Sequence, residues 1–146
     1  MPRPETPALA ADIIIELIDY PGRPIVLIER AFPPYGWAIP GGFVDIGERV
    51  EIAAFREAKE EVSLNVKLIA LLGIYSDPSR DHRGHTVTAC YVAEANGTPK
   101  AADDAKNCRI FNLDALPELL AFDHAKVLED YVRFRKTGEV TPLHEV

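Results

Sequence analysis

Cysteine is scarce in this chain of 146 residues, which has only Cys90 and Cys108, and there are just four histidines. The two cysteines lie far apart and form no Cys-x-x-Cys pair, so neither a zinc cage nor a disulfide framework can be assembled from them. They read as small apolar residues of a reducing compartment. Basic residues are also in the minority, with 16 Lys and Arg against 23 Asp and Glu and a net charge of −7. A protein that grips nucleic-acid phosphates needs a net basic face, so nucleic acid is not the expected partner. An acidic protein can still bind a nucleotide when cations mask its carboxylates. Long hydrophobic runs are missing too. No stretch approaches the roughly 20 apolar residues that span a bilayer, and the Pro-rich start has no apolar signal core. The expectation is a single domain over 1–146, cytoplasmic, with no membrane partner.

No repeat, low-complexity tract or long linker interrupts the chain. Residues 1–10 are rich in Pro and Ala and are expected to be loose. Residues 11–18 and 25–29 are β-branched, apolar runs flanking Tyr20-Pro21-Gly22-Arg23-Pro24, which reads as a turn between antiparallel strands. A loop with Pro and aromatic residues, 31–37, leads to Pro40-Gly41-Gly42. Over 50–62 the period changes: Val50, Ala53, Ala54, Ala58 and Val62 fall at helical spacing on one apolar face. Strands are expected at 66–75, 85–93 and 108–112, with a polar loop 76–84 and an Asn96-Gly97 turn. Asp123 reads as the N-cap of a closing amphipathic helix built on Val127, Leu128, Tyr131, Val132 and Phe134. This order predicts an α/β fold with a mixed sheet held between helices.

The chemistry concentrates on the first helix. Glu57, Glu60 and Glu61 stand at i, i+3 and i+4, so their carboxylates project from one side, opposite the apolar stripe. A charge run of this kind is ordinarily a solvated face. Here Glu48 and the double glycine Gly41-Gly42 lie just upstream. Glycines let backbone approach an ion closely, and hard divalent cations want an all-oxygen shell rich in carboxylates.

Gly42, Glu48 and Arg56-Glu57-Ala58-Lys59-Glu60-Glu61-Val62-Ser63-Leu64 closely resemble the Nudix box, G-x5-E-x7-R-E-U-x-E-E-x-G-U, where U is a bulky aliphatic residue. Of its nine defining positions the chain keeps seven, departing at Ala58 and at Ser63 in place of Gly. Ser63 would then end the helix in a left-handed conformation, at a cost of about 1 kcal/mol. The resemblance implies the α/β/α Nudix sandwich. It implies Mg²⁺ as cofactor, with Mn²⁺ as the alternative, held by Glu57, Glu61, Glu60 and the Gly41 carbonyl. Arg56 would orient the glutamates, and Glu48 would support loop and helix.

Such a site implies hydrolysis of a diphosphate bond, with the metal neutralising phosphate charge and generating the nucleophile at neutral pH. The general base varies in this family. The pair Asp103-Asp104 is the candidate, with a turn beside Lys100 and Lys106 as its ordinary structural alternative. The segment 76–86 resembles the corresponding loop of ADP-ribose pyrophosphatases, with Pro78 fifteen residues beyond Ser63, and so does Ala121-Phe122-Asp123-His124. Arg80 and Arg83 would meet phosphate or ribose, and Phe122 or Tyr75 would stack on a purine. Surface arginines and a core phenylalanine are the ordinary alternatives. The expected reaction converts ADP-ribose to AMP and ribose 5-phosphate. The alternatives are hydrolysis of a nucleoside triphosphate such as an oxidised dNTP, or a ligand-sensing domain without catalysis. A homodimer is expected, as in many relatives.

Overall fold

The first strand is buried on both faces from Ala10 to Leu17, and it is the centre on which the molecule is built. The computed structural model describes residues 2–102 and 105–146. The elements run β1 (Ala8–Leu17), β2 (Ile25–Arg30), β3 (Trp37–Ala38), β4 (Gly41–Phe43), α1 (Val50–Val62), β5 (Lys67–Tyr75), β6 (Thr86–Ala95), β7 (Ala105–Phe111) and α2 (His124–Thr137). The seven strands form one mixed sheet of order β3-β2-β1-β6-β5, with β4 added to β1 and β7 to β2. The β1–β6 pairing is parallel, from Ala8↔Thr86 to Leu17↔Ala95, and the other pairings are antiparallel.

On one side of the sheet Ala11, Ile13, Ile15 and Leu17 of β1 pack under Ala53, Ala54, Ala58 and Val62 of α1. On the other side Ile14, Ile25, Leu27 and Val92 pack against Val127, Leu128 and Tyr131 of α2. A mixed sheet between two helices is the expected α/β/α sandwich. Each fully buried Ile, Leu or Val contributes about 1.5–3 kcal/mol. The small alanines of α1 let the helix approach the sheet closely, which matters because the same helix carries the carboxylates.

Helix α1 spans the expected residues. It ends at Ser63, left-handed at φ 62° and ψ 32°, with the Ser63 amide donating to the Lys59 carbonyl and its hydroxyl donating to the Lys100 carbonyl at 3.2 Å. Other expectations need correction. Residues 8–10 are not loose: Ala8 and Leu9 pair with Thr86 and Val87, and Ala10 with Phe43. The short strands β3 and β4 interrupt what reads as loop, and β7 begins three residues earlier than expected. Asp123 precedes α2 but makes no side-chain cap, because its carboxylate is engaged by Arg80.

One edge of β1 lies along β6. Its other edge pairs with β2 at Glu16↔Ile25 and with β4 at Ala10–Asp12. A cleft opens where β1 changes partner.

Candidate active site

Arg56 organises the acidic wall of this cleft. Its Nε and Nη2 donate to the two oxygens of Glu48 at 2.8 and 2.9 Å, and Nη1 donates to Glu57 at 2.9 Å and Glu60 at 3.2 Å. Nη2 also donates to the Phe43 carbonyl at 3.1 Å, tying α1 to the end of β4. Only a planar fork with five donors can serve so many acceptors at once. The Arg56 hydrogen bond, aided by the Asp45 amide, holds the Glu48 pKa down to about 2. Burial pushes the Glu57 carboxyl up, against the pull of Arg56. Burial raises Glu61 further, and the charge of Glu57 adds to it.

Contrary to expectation, the three glutamates do not stand opposite the apolar stripe: Glu57 follows Val50 by seven residues and Glu61 follows Ala54 by seven, which puts both beside the stripe. Glu61 is 8% exposed and closes the edge of the buried face, whereas Glu60, its side chain 46% exposed, meets solvent. Glu61 is held there by the Gly41 amide, which donates to its Oε1 at 3.2 Å. The Ile13 and Val44 amides donate to the carbonyls of Pro40 and Leu9, so Asp12 opposite Gly41 is a pair that exchanges no ladder bonds. The Gly41 amide and carbonyl therefore both point away from β1, toward α1. Gly42 sits under Glu57: a Cβ there would lie 2.5 Å from Glu57 Oε1, and one on Gly41 would overlap Asp12.

The donor set fits a hard divalent cation. Carboxylates from Glu57, Glu60 and Glu61 and an outward carbonyl at Gly41 are all oxygen, and their mutual repulsion is what a cation relieves. Among the described residues no three such side chains already converge on one point; Glu57 and Glu60 lean on Arg56, and Glu61 on Gly41.

Of two further residues of the site, Asp12 is not marked in the sequence, and His124 is marked only as the last residue of the 121–124 segment. Asp12, mid-strand in β1, lines the cleft, and His124 lies beside it. His124 Nδ1 accepts from the Ile39 amide at 3.0 Å, so its proton sits on Nε2, 3.3 Å from Asp12 Oδ2. A lone Asp in an apolar strand was the available signal, since such a buried charge needs a partner.

The opposite wall is cationic and aromatic. The cleft, about 940 Å³, is lined there by Arg30, Phe32, Arg80, Arg83 and Phe122. Arg80 does not stand free for a phosphate. Its side chain is 5% exposed, grips Asp123 through Nε at 2.9 Å and Nη2 at 2.8 Å, and donates to Thr88 Oγ1 at 2.7 Å. Arg83 pairs with buried Asp81 at 2.8 Å. Phe122, at φ 55°, carries the guanidinium groups of Arg30 and Arg83 at 4.8 and 5.1 Å from its ring centre. Pro78 is exposed and does not line the cleft. Tyr75 is not a stacking surface either: its hydroxyl bonds Asp130 and Thr141 at 2.9 and 2.8 Å, away from the site. Asp103 and Asp104 lie outside the described residues.

A family model described as NUDIX domain matches residues 7–131. An ADP-ribose pyrophosphatase of Methanocaldococcus jannaschii is 46% identical over 88% of the chain and 75% of its own length. The ADPR responsive transcriptional repressor NtrR of Acinetobacter baylyi is 28% identical over 94% of the chain, which spans only 58% of that protein. Among solved structures, a MutT/nudix family protein from Enterococcus faecalis matches with a TM-score of 0.80 at 29% identity, over 93% of this chain and 65% of that one. The NUDIX domain of Shewanella oneidensis NrtR, complexed with ADP ribose, matches with a TM-score of 0.77 at 25% identity, over 91% and 90%. With its sandwich, its glycine-cradled glutamates and a match over most of its length, the chain belongs to the Nudix family.

Proposed function

We propose that this protein is a divalent-metal-dependent ADP-ribose pyrophosphatase that releases AMP and ribose 5-phosphate. The observation that carries the reading is a single cleft lined both by the carboxylates of Glu57, Glu60 and Glu61 and by the guanidinium groups of Arg30, Arg80 and Arg83. The likeness to an archaeal enzyme of that name supports the choice of substrate. In this reading Glu57, Glu60, Glu61 and the Gly41 carbonyl hold Mg²⁺, with Mn²⁺ able to replace it. A cation held there would supply charge neutralisation for the diphosphate and Lewis acidity for activating the attacking water.

The chain's own residues do the rest. Arg56 keeps Glu57 and Glu60 oriented, and Glu48 fixes Arg56. Buried Ile39 and the half-buried Gly41 and Gly42 form a floor that limits bulk water, which strengthens each charge interaction. In the reaction a water oxygen bonds to one phosphorus, the bridging P–O bond breaks, and the departing phosphate keeps the electron pair. Asp103 or Asp104 takes the water's proton in this scheme. We place the protein in the cytoplasm and assign it a homodimeric state.

The test is incubation with Mg²⁺ and a panel of ADP-ribose, NADH, diadenosine polyphosphates, GDP-mannose and oxidised dGTP, with products identified by mass. Rapid release of AMP from ADP-ribose, lost with chelator and reduced about 10²-fold or more in Glu61→Gln, is the expected result. Fast cleavage of another compound would keep the metal chemistry and discard the substrate. Tight ADP-ribose binding without turnover would move the protein to the sensor class that the repressor likeness represents.

A further inference from the structure

Of the three arginines that line the cleft, two are engaged by carboxylates. Arg80 is locked on Asp123, and Arg83 lies against Asp81. Arg30 differs. Among the described residues no carboxylate comes within ion-pair distance of it, and its hydrogen bonds go to two carbonyls, Nε to Pro34 at 2.8 Å and Nη2 to Pro33 at 3.4 Å. A guanidinium has five donors, so three remain unused on a group that lines the cleft. Those two carbonyls fix the head group over Phe122, where Arg83 also sits. Two like charges on one aromatic ring repel, and burial together with Arg83 lowers the Arg30 pKa; Glu61, Asp81 and Asp12 pull the other way without closing on it.

The geometry points to Arg30, assisted by Arg83, as the binding site for the second phosphate of a diphosphate whose first phosphate lies at the glutamate wall. This assignment rests on the hydrolase reading of the same cleft and deepens it. A cation on the acidic wall would attract the phosphate of a monophosphate as well as that of a diphosphate. A forked guanidinium elsewhere in the same cleft adds that discrimination, because it matches two oxygens of a second phosphate at once. The same placement removes Phe122 as a free platform for a purine, since guanidinium groups already cover its ring. Arg30 is thereby a specificity-determining residue for linked phosphates, a role the sequence segment 76–86 was expected to fill.

Inorganic pyrophosphate with Mg²⁺, titrated by calorimetry into the wild type, Arg30→Gln and Arg30→Lys, tests this directly. The wild type is expected to bind it about tenfold or more tightly than Arg30→Gln, the loss that follows removal of a hydrogen-bonded charge. Arg30→Lys, which keeps the charge but not the fork, is expected between them. Thermal midpoints report whether each variant folds. Should Arg30→Gln not fold, Arg30→Lys must still weaken binding about threefold. Equal affinity of wild type and variants, or no pyrophosphate binding by the wild type, would overturn the assignment. ADP-ribose turnover on the same samples is a separate readout. A wild type that binds pyrophosphate through Arg30 but leaves ADP-ribose intact would sink the proposed substrate and leave the phosphate site standing.

Discussion

Glu57 occupies the space where a side chain at position 42 would go. Its Oε1 lies 2.5 Å from the position of a Cβ on Gly42, and Arg56 holds it from the other side. Gly42→Ala should therefore displace the carboxylate, and the backbone, which is not left-handed there, should tolerate the change. The expected outcome is a loss of about 10–100-fold in metal affinity or turnover with little shift in thermal midpoint. An active Gly42→Ala protein would show that Glu57 need not stay where it is. Glu48 gives a pH prediction. Its folded pKa is depressed from 4.5 to about 2, so its contribution is fully present above pH 4.5 and is lost as pH falls toward 2. The midpoint difference between wild type and Glu48→Gln should be largest near neutrality and close over that interval. A gap that is constant in pH would remove Glu48 as the group responsible.

At the scale of elements, Ser63 is the departure from the family pattern with a measurable consequence. Its left-handed backbone costs a non-glycine residue about 1 kcal/mol, partly offset by the hydroxyl bond to the Lys100 carbonyl. Ser63→Gly should leave α1 intact and raise the thermal midpoint by less than the few degrees that about 1 kcal/mol gives a domain of this size, because the hydroxyl bond is lost together with the strain. A lower midpoint would mean that the Lys100 contact outweighs the strain. Helix α1 was legible because thirteen residues without Gly or Pro repeat an apolar face, and its carboxylates came with it. The strands β3 and β4 were not, since two or three residues carry no period and owe their conformation to pairing with β2 and β1. The cleft's far wall was misread for a similar reason. Arg80 and Arg83 look equally free in a polar loop, yet the partner of Arg80 lies 43 positions away, at a residue that reads as a helix cap. Arg30 looks like a strand end, and Asp12 like a polar interruption. Only the bringing together of distant segments gives them their roles.

At the scale of the whole molecule, α1 does not cover its side of the sheet out to the edge. Leu71 pairs with Tyr91 and Ile74 with Ala89, which places both on the α1 side, where they are 44% and 58% exposed. Ile52 and Phe55 on α1 are also exposed. An apolar margin on the edge strand β5 is what a second copy would bury in the proposed homodimer. Light scattering should give twice the monomer mass, and Ile74→Asp should shift the population toward monomer with turnover assayed alongside. A monomeric wild type would dispose of the dimer. No helix among the described residues is long and apolar enough to cross a membrane.

The one tryptophan, Trp37, has its ring edge-on to Phe111 at 5.1 Å and beneath the Arg109 guanidinium at 5.3 Å. Its backbone is pinned to the segment that leads into Phe122: the Trp37 amide donates to the Leu119 carbonyl, and the Ala121 amide donates back to the Trp37 carbonyl. The chain thus contains a single tryptophan, which can be excited apart from its five tyrosines, one residue removed from the wall that meets the ligand. A change in its emission on adding pyrophosphate would follow occupancy of the cleft in real time, with no label attached.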